Sequence, residues 1–177
     1  DLIKNDNKSK MSLEQSSKDF SENVMIVDLV RNDLSITAQK NSVQVEELAK
    51  VYSYKNVHHL VSTIISKIRT NTHPLDVIRH AFPMGSMTGA PKIKSMELIE
   101  KHENTLRGLY SGSIGYFDPN LDFDFNVVIR SLLYNEKSDY LSFIVGGAIT
   151  IESEGDLEYE ECLTKAQSIV KILGNGK

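Results

Sequence analysis

The beginning of the chain changes from a polar pattern to a helical one. Residues 1–13 are polar and rich in lysine, which is typical of a loop or a frayed end. From Leu13 to Leu34, apolar residues recur at spacings of three and four, which predicts an amphipathic helix. Asn32 and Asp33 are placed to close that helix.

Segments rich in β-branched residues predict strands farther along the chain. Residues 42–54 partly alternate between apolar and polar positions, and residues 59–68 form a β-branched run that predicts a long strand. The same criteria predict strands over residues 111–117, 123–134 and 140–151, and helices over residues 73–82, 91–103 and 156–173. Short turns join the last three strands into a meander, so we expect antiparallel pairing. The order of elements predicts an α+β fold, with antiparallel β-sheets flanked by helices.

Composition and charge limit the classes of protein to which the chain can belong. A chain of 177 residues that is 40% hydrophobic is expected to be one domain or a piece of a larger one. A net charge of −4 argues against nucleic acid as the main partner, and without a run of about 18 apolar residues no membrane span is expected. The single cysteine, Cys162, is interpreted as a helix residue without chemistry, in a reducing compartment, the cytoplasm. Because the chain starts at Asp1 without an initiator methionine, we expect a processed or truncated end.

Two pairs of acidic residues share one spacing. Asp19 and Glu22 are three positions apart, as are Glu158 and Glu161, so each pair lies on one face of its predicted helix. Two such pairs facing each other could bind a hard divalent cation such as Mg²⁺ through oxygen ligands. Spacing alone favours the other interpretation, an acidic helix face in water.

Two glycine-rich segments could give a ligand access to the backbone. Residues 85–91 precede a predicted helix, where free N–H groups and the helix dipole favour an anion. Gly146 and Gly147 end a predicted strand, where the lack of side chains permits a close approach. A structural turn and a close-packed strand crossing explain these two patterns equally well.

Four further side chains have two interpretations each. Only one of His58 and His59 can face a pocket, because consecutive strand residues point to opposite faces, and a strand histidine is more often structural. Arg130 and Lys165 lie in mostly apolar segments, as surface charges or as anchors for an anion.

Taken together, these segments resemble the signatures of the chorismate-utilising enzymes. The matching strings cover nearly all of residues 16–173: they are residues 22–34, 57–63, 85–92, 107–116, 129–131 and 146–148, followed by Glu158-x-x-Glu161-x-x-x-Lys165. Within the family, Lys18-Asp19, the double histidine and the glycine-rich segment resemble aminodeoxychorismate synthase component I more than anthranilate synthase component I. The resemblance implies a polar N-terminal segment over residues 1–15 and the C-terminal part of a chorismate-binding domain over residues 16–177.

The resemblance also implies a metal site. Glu22 and Glu161 would bind Mg²⁺ directly or nearly so, and Asp19 and Glu158 would support it through waters. The metal would hold the ring carboxylate of chorismate.

Further residues are implied for the rest of the substrate. Tyr110 and Arg130 would hold the carboxylate of the enolpyruvyl side chain, which a guanidinium fork suits. The remaining contacts would be backbone N–H groups and one positive charge, from Gly146, Gly147, Ala148 and Lys165.

The implied reaction is the Mg-dependent amination of chorismate to 4-amino-4-deoxychorismate, on the route to p-aminobenzoate and folate. Ammonia from a separate glutamine amidotransferase subunit would supply the amine, which adds at C2 while the C4 hydroxyl leaves. His59 is the candidate general acid for that hydroxyl, and Ser86 would lie beside the ring near it.

One motif of the family lies outside the sequence. Synthases of this type carry a Pro-Ile-Lys-Gly-Thr motif whose lysine attacks C2, and the usual spacing places it upstream of Asp1. No Gly-Thr follows Lys4, Lys8 or Lys10. We therefore expect a C-terminal fragment that alone is inactive. Two alternatives stay open: anthranilate synthase component I, which would also eliminate pyruvate, and a chorismate-binding module without catalysis.

Overall fold

The chain divides into two units, Asp1–Glu103 and Asn104–Lys177, in a computed structural model that describes residues 2–54, 57–151 and 153–174. Each unit combines helices with antiparallel strands, as the α+β prediction requires. None of the helices in these ranges has the length and apolar character that crossing a membrane requires.

The described part of the first unit contains four helices and one antiparallel hairpin. Its elements are α1 (Leu2–Gln15), α2 (Ser17–Thr37), β1 (Gln44–Ser53), β2 (His58–Ile65), α3 (Pro74–Ala81), a 3₁₀ turn (Gly85–Met87) and α4 (Lys92–His102). Helix α2 lies against both strands, α3 and the 3₁₀ turn. It is therefore the central element of this unit.

Helix α2 begins at a side-chain cap and ends later than predicted. The Ser16 hydroxyl accepts the N–H of Asp19 at 3.2 Å, which satisfies an amide that has no partner inside the helix. The predicted end at Asn32-Asp33 is wrong, since the helix continues to Thr37. Asp33 does not compete for the helix backbone, because its carboxylate lies 2.7 Å from Lys92 Nζ.

The polar start of the chain is helix α1, and the predicted loop or frayed end over residues 1–13 is wrong. Residues 2–15 include neither glycine nor proline, the two residues that disfavour a helix most. The helix lies against β1 and β2. Such tertiary contacts stabilise a helix whose own sequence gives a weak amphipathic signal.

Strands β1 and β2 pair antiparallel, with irregularities in β1. The register runs from Gln44 opposite Ile65 to Ser53 opposite His58, and it shifts on both sides of Glu47. Ala49, within the second shift, has a φ of 47°. A non-glycine residue rarely adopts this conformation, so β1 bends sharply at the bulge.

The second unit contains two short hairpins and a long helix. Its described elements are β3 (Ser113–Phe117), β4 (Phe123–Val127), β5 (Leu133–Asn135), β6 (Tyr140–Ser142) and α5 (Gly155–Gly174). Strands β3 and β4 form one sheet, and β5 and β6 form another. The turns at Pro119–Asn120 and 135–137 and the last helix are confirmed.

The single strand predicted over residues 123–134 is wrong. It is interrupted between β4 and β5, where the Ile129 N–H donates to Val127 O at 3.0 Å and Arg130 has a φ of 49°. This tight turn breaks the ladder, so two hairpins replace the predicted three-strand meander. The third predicted strand, over residues 140–151, is also too long, because β6 ends at Ser142.

Few apolar side chains in either unit are fully covered. In the described residues, the buried apolar residues are Val27 and Ala38 in the first unit and Val128 and Ile169 in the second. Large apolar side chains such as Ile93 and Leu106, 76% and 93% exposed, lie at the surface of their own units. Extensive exposed apolar surface is typical of a region that contacts further protein.

Candidate functional site

A lysine, two glutamates and the glycine pair meet in the second unit. Lys165 Nζ donates to the carbonyl oxygen of Gly146 at 3.0 Å and lies 2.6 Å from Glu161 Oε1, one helical turn earlier on α5. Glu158 is buried, and a Cβ placed on Gly147 would lie 3.1 Å from its Oε2. Five of the residues predicted from the sequence are therefore neighbours, with both signs of charge beside exposed backbone.

The buried carboxylate of Glu158 is held by a serine that the sequence analysis missed. Ser153 Oγ donates to Glu158 Oε1 at 2.8 Å, and the same hydroxyl accepts the Thr150 N–H at 3.0 Å. A buried carboxylate needs such donors to offset its lost hydration. The sequence feature that could have predicted this contact is the position of Ser153 just before a helix with acidic residues in its first turn.

Tyr110 reaches the glycine pair, whereas Arg130 does not contact this cluster. The Tyr110 hydroxyl lies 3.0 Å from where a Cβ on Gly146 would be. Arg130 is exposed, and its guanidinium makes no hydrogen bond or ion pair with the described residues. Ala148, after the glycine pair, is also exposed. A carboxylate shared by Tyr110 and Arg130 therefore stays a prediction.

Cys162 lies on α5 between the predicted site residues. Its side chain is half-buried, and its Sγ is 3.9 Å from where a Cβ on Gly147 would be. The interpretation of this residue as a helix residue agrees with its position, one turn after Glu158.

The other acidic pair lies near the start of α2 in the first unit. Asp19 is exposed and Glu22 is half-buried, and they follow one another on the same helix face. Lys18 Nζ lies 3.9 Å from Glu22 Oε1, one turn earlier. A partly exposed pair at this distance contributes little to stability.

His59 lies in β2, opposite Tyr52 in the ladder. Its ring meets the ring of Tyr54 edge-on, with centroids 5.8 Å apart and an interplanar angle of 64°. The neighbouring His58 has Nδ1 2.9 Å from Ser53 Oγ. Both predicted histidines are therefore half-buried in the hairpin, and His59 has an aromatic neighbour.

The glycine-rich segment is an ordered turn with Ser86 exposed on it. Thr88 Oγ1 donates to Met84 O at 3.1 Å, and Gly85 is buried against the Leu29 side chain. Gly89 has a φ of 138°, and a Cβ there would lie 2.7 Å from Ser95 Oγ, so only glycine fits. These contacts agree with the structural interpretation of the segment, and an anion role for it stays a prediction.

Lys92, at the end of this segment, is committed to a buried ion pair. Its Nζ lies 2.7 Å from Asp33 Oδ2, with side chains 18% and 8% exposed, and it donates to Ala81 O at 3.3 Å. The pair joins α2 to the start of α4. Both residues lie within the matching sequence motifs, where Asp33 was predicted only to end α2 and Lys92 had no predicted role.

A charged cluster on β1 lies in the same hairpin as His59. Hydrogen bonds from the Lys50 ammonium and then from the Tyr52 hydroxyl, at 2.5 and 2.6 Å, lower the pKa of Glu47 below its usual value. The hydrogen bond to Glu47 raises the pKa of Lys50 and also that of Tyr52. Glu47 is therefore ionised at neutral pH, and Lys50 and Tyr52 hold it in place together with a longer hydrogen bond from Thr63 Oγ1 at 3.4 Å.

The four predicted metal ligands fit Mg²⁺ by their chemistry. All are carboxylates, and hard oxygen donors are what Mg²⁺ prefers. Within the described ranges no group of three or more metal-binding side chains occurs, and the acids come as one pair in each unit. Mg²⁺ is commonly bound by one or two carboxylates with waters and substrate oxygens, so pairs are sufficient. The meeting of Glu22 and Glu161 at one ion stays a prediction.

Comparison with known proteins gives a consistent result. A family model described as chorismate binding enzyme matches residues 3–171. The chain is 48% identical over 159 residues to the chloroplastic aminodeoxychorismate synthase of Arabidopsis thaliana, covering 90% of the chain and 17% of that protein. It is 42% identical over 168 residues to aminodeoxychorismate synthase component 1 of Escherichia coli, covering 95% of the chain and 37% of the relative.

A solved structure supports the same relationship. Anthranilate synthase component I from Streptococcus pneumoniae superposes with a TM-score of 0.78 and 31% sequence identity, over 93% of this chain and 38% of that one. The chain therefore spans well under half the length of each of these relatives.

Proposed function

Because the chain belongs to the family of chorismate binding enzymes, we propose that its protein aminates chorismate to 4-amino-4-deoxychorismate. Relatives that carry the name aminodeoxychorismate synthase share 48% and 42% identity with it, which supports this reaction over the formation of anthranilate. The single observation that carries the proposal is the cluster of Lys165, Glu161, Glu158 and the glycine pair, which combines cationic and anionic groups beside open backbone.

Binding of the substrate follows from the charges of the site. Chorismate is a small dianion, and Lys165 supplies a cation whose position is fixed by Gly146 O and Glu161. Tyr110 is close enough to the glycine pair to donate to the same ligand. Arg130 is exposed and available to turn toward the enolpyruvyl carboxylate as a fork.

The carboxylates provide the place for Mg²⁺. Glu22 and Glu161 would hold the ion, and Asp19 and Glu158 would support it through waters. When bound, Mg²⁺ supplies a positive charge that neutralises the ring carboxylate of chorismate. Ser153 contributes by fixing the Glu158 carboxylate, at 2.8 Å.

Proton transfer is assigned to His59. An amine adds its lone pair to C2 of chorismate, the ring double bond shifts, and the C4–O bond breaks. Hydroxide is a poor leaving group, so His59 donates a proton to the departing oxygen and water leaves. A second amine then adds at C4 as the C2 substituent departs, which gives 4-amino-4-deoxychorismate. Ser86, exposed on the 3₁₀ turn, would lie beside the ring.

The amine source is assigned to a glutamine amidotransferase partner that supplies ammonia. We also propose a reducing compartment, the cytoplasm, which the single half-buried cysteine of this chain supports.

Product analysis tests the proposed reaction. The complete protein, incubated with chorismate, an ammonium salt and Mg²⁺, is expected to form 4-amino-4-deoxychorismate, identified by chromatography and mass spectrometry. Anthranilate and pyruvate as products would contradict the proposal and point to the anthranilate synthase reaction. Calorimetric binding of chorismate without any turnover would instead support a non-catalytic binding module.

The metal role of Glu161 has its own test. Glu161→Gln keeps the shape of the side chain and removes its charge, so we expect Mg²⁺-dependent turnover to fall at least about 10-fold. The neighbouring exposed Glu160→Gln is the matched control and should keep its activity. Circular dichroism should give the same helix content for both variants. Equal activity of the two would mean that Glu161 does not bind the metal.

A further inference from the structure

A chain of hydrogen bonds connects three elements of the first unit. The backbone N–H of Ala49 in β1 donates to Ser62 Oγ in β2 at 2.8 Å, and Ser62 Oγ donates to Asn23 Oδ1 in α2 at 2.5 Å. Both Ser62 and Asn23 are half-buried. These two hydrogen bonds therefore connect the bulge of β1, through β2, to the helix that carries Glu22.

The bulge in β1 determines which groups donate and which accept in these hydrogen bonds. The β1–β2 register shifts between Glu47 and Lys50, so the amide of Ala49 lies outside the regular ladder. The Ser62 hydroxyl accepts that amide, which takes the place of a strand partner. A hydroxyl has one proton and two lone pairs. The Ser62 hydroxyl accepts the Ala49 amide through a lone pair, and its proton remains available to donate to Asn23.

Apolar packing alone defines the rotation of α2 only weakly. The helix buries Val27, yet Phe20 and Met25 are 47% and 36% exposed, so its apolar residues do not form a single covered stripe. The partly exposed Lys18–Glu22 pair contributes little further definition. The buried Asp33–Lys92 pair holds the C-terminal half of α2. The half-buried hydrogen bond from Ser62 to Asn23 orients the N-terminal half, next to Glu22.

We propose that Ser62 and Asn23 are positioning residues that fix the rotation of α2 and so direct the Glu22 carboxylate toward the metal. The inference rests on the proposed metal role of Glu22. Asn23 follows Glu22 directly, so a helix rotation that breaks the Ser62 contact moves the Glu22 side chain by the same angle. Neither positioning residue is assigned a contact with metal or substrate.

Paired substitutions at position 62 test the inference. Threonine and valine have the same shape, but only threonine keeps the hydroxyl. In the complete protein with chorismate present, Ser62→Val is expected to weaken binding of Mg²⁺ by about 10-fold, and Ser62→Thr to stay near wild type. Calorimetry measures Mg²⁺ binding directly, and electron paramagnetic resonance of Mn²⁺ gives a second readout that does not need turnover.

Control variants distinguish a loss of helix positioning from a loss of folding. Ser35→Ala removes a hydroxyl from the same helix whose hydrogen-bond partner within the described part of the chain is Asn32 O, and it should leave metal binding unchanged. If Ser62→Val is not folded by circular dichroism, Asn23→Ala removes the other end of the contact and is expected to weaken binding equally. Wild-type Mg²⁺ affinity in a folded Ser62→Val or Asn23→Ala variant would overturn the inference.

A reference variant keeps the two proposals distinguishable. Glu22→Gln is expected to weaken Mg²⁺ binding more than Ser62→Val does. If Glu22→Gln has the affinity of wild type, the proposed metal role fails and the positioning role falls with it. If Glu22→Gln weakens binding and the Ser62 and Asn23 variants do not, only the positioning role is wrong.

Discussion

At the scale of single residues, the two buried carboxylates of the described structure are each met by a specific donor. Asp33 lies 2.7 Å from Lys92 Nζ, and Glu158 accepts from Ser153 Oγ at 2.8 Å. A buried charge that loses its partner destabilises a protein strongly, because its hydration is not replaced. Surface pairs behave differently, since water screens them and their side chains must be ordered.

This difference predicts the effect of two matched substitutions in α2. Asp33→Asn leaves the Lys92 ammonium buried without its counter-charge, and we expect the free energy of unfolding to fall by about 3 kcal/mol. Asp28→Asn breaks an exposed pair with Arg31, whose side chains are 65% and 51% exposed, and should change stability by less than about 0.5 kcal/mol. Urea unfolding followed by circular dichroism measures both. Similar losses for the two variants would show that burial does not govern the Asp33 pair.

Part of the candidate site could be predicted from local sequence. The i, i+3 acids and the i, i+4 pair of Glu161 with Lys165 follow from helix geometry, and the structure has both. The contacts of Ser62 with Asn23 could not be predicted, because they join residues that are distant in sequence. Their presence depends on the strand bulge, which leaves no signature in composition.

At the scale of elements, helices with apolar residues at spacings of three and four were predicted, whereas a polar helix and an interrupted strand were not. Helices α2 to α5 and the hairpin turns follow from apolar spacing and turn residues. The predicted long strand failed at Arg130, because a positive φ at a non-glycine residue is imposed by tertiary structure. Helix α1 was missed for a related reason. Its sequence is polar, and contact with β1 and β2 stabilises it as a helix.

The β3–β4 hairpin gives the prediction at this scale. Gly115 lies opposite Phe125, and a Cβ there would overlap the Asp124 carbonyl oxygen and the Phe125 ring. That ring belongs to a cluster with Phe117 and Phe123, with centroids 5.4 and 6.2 Å from it.

We therefore expect Gly115→Ala to destabilise the hairpin by about 1–3 kcal/mol, since both the Asp124 carbonyl oxygen and the Phe125 ring must move to make room. Gly155→Ala, at the start of α5, is the control, because no described residue beyond its chain neighbours and its own helix backbone lies within 4 Å of the added methyl group. Thermal unfolding of both variants provides the comparison. A loss in Gly155→Ala as large as that in Gly115→Ala would exclude steric overlap as the cause.

At the scale of the whole molecule, the candidate site residues are divided between two units. The first unit carries Asp19, Glu22, His59 and Ser86, and the second carries the cluster around Lys165. Sequence motifs predicted the candidate residues of both units, because each motif consists of a few neighbouring residues. That the two sets of residues meet at one ion stays a prediction, because the spacing of motifs along a chain does not specify their tertiary arrangement.

The position of Cys162 has a practical consequence for spectroscopy. It is the single sulfhydryl of the sequence, and its Sγ is 3.9 Å from the Cβ position on Gly147. A small fluorophore or a trifluoromethyl tag attached through this sulfur would sit at the glycine pair without an engineered attachment point. Ligand binding beside the glycine pair could then be followed by emission or by fluorine resonance, with the native residues of this chain in place.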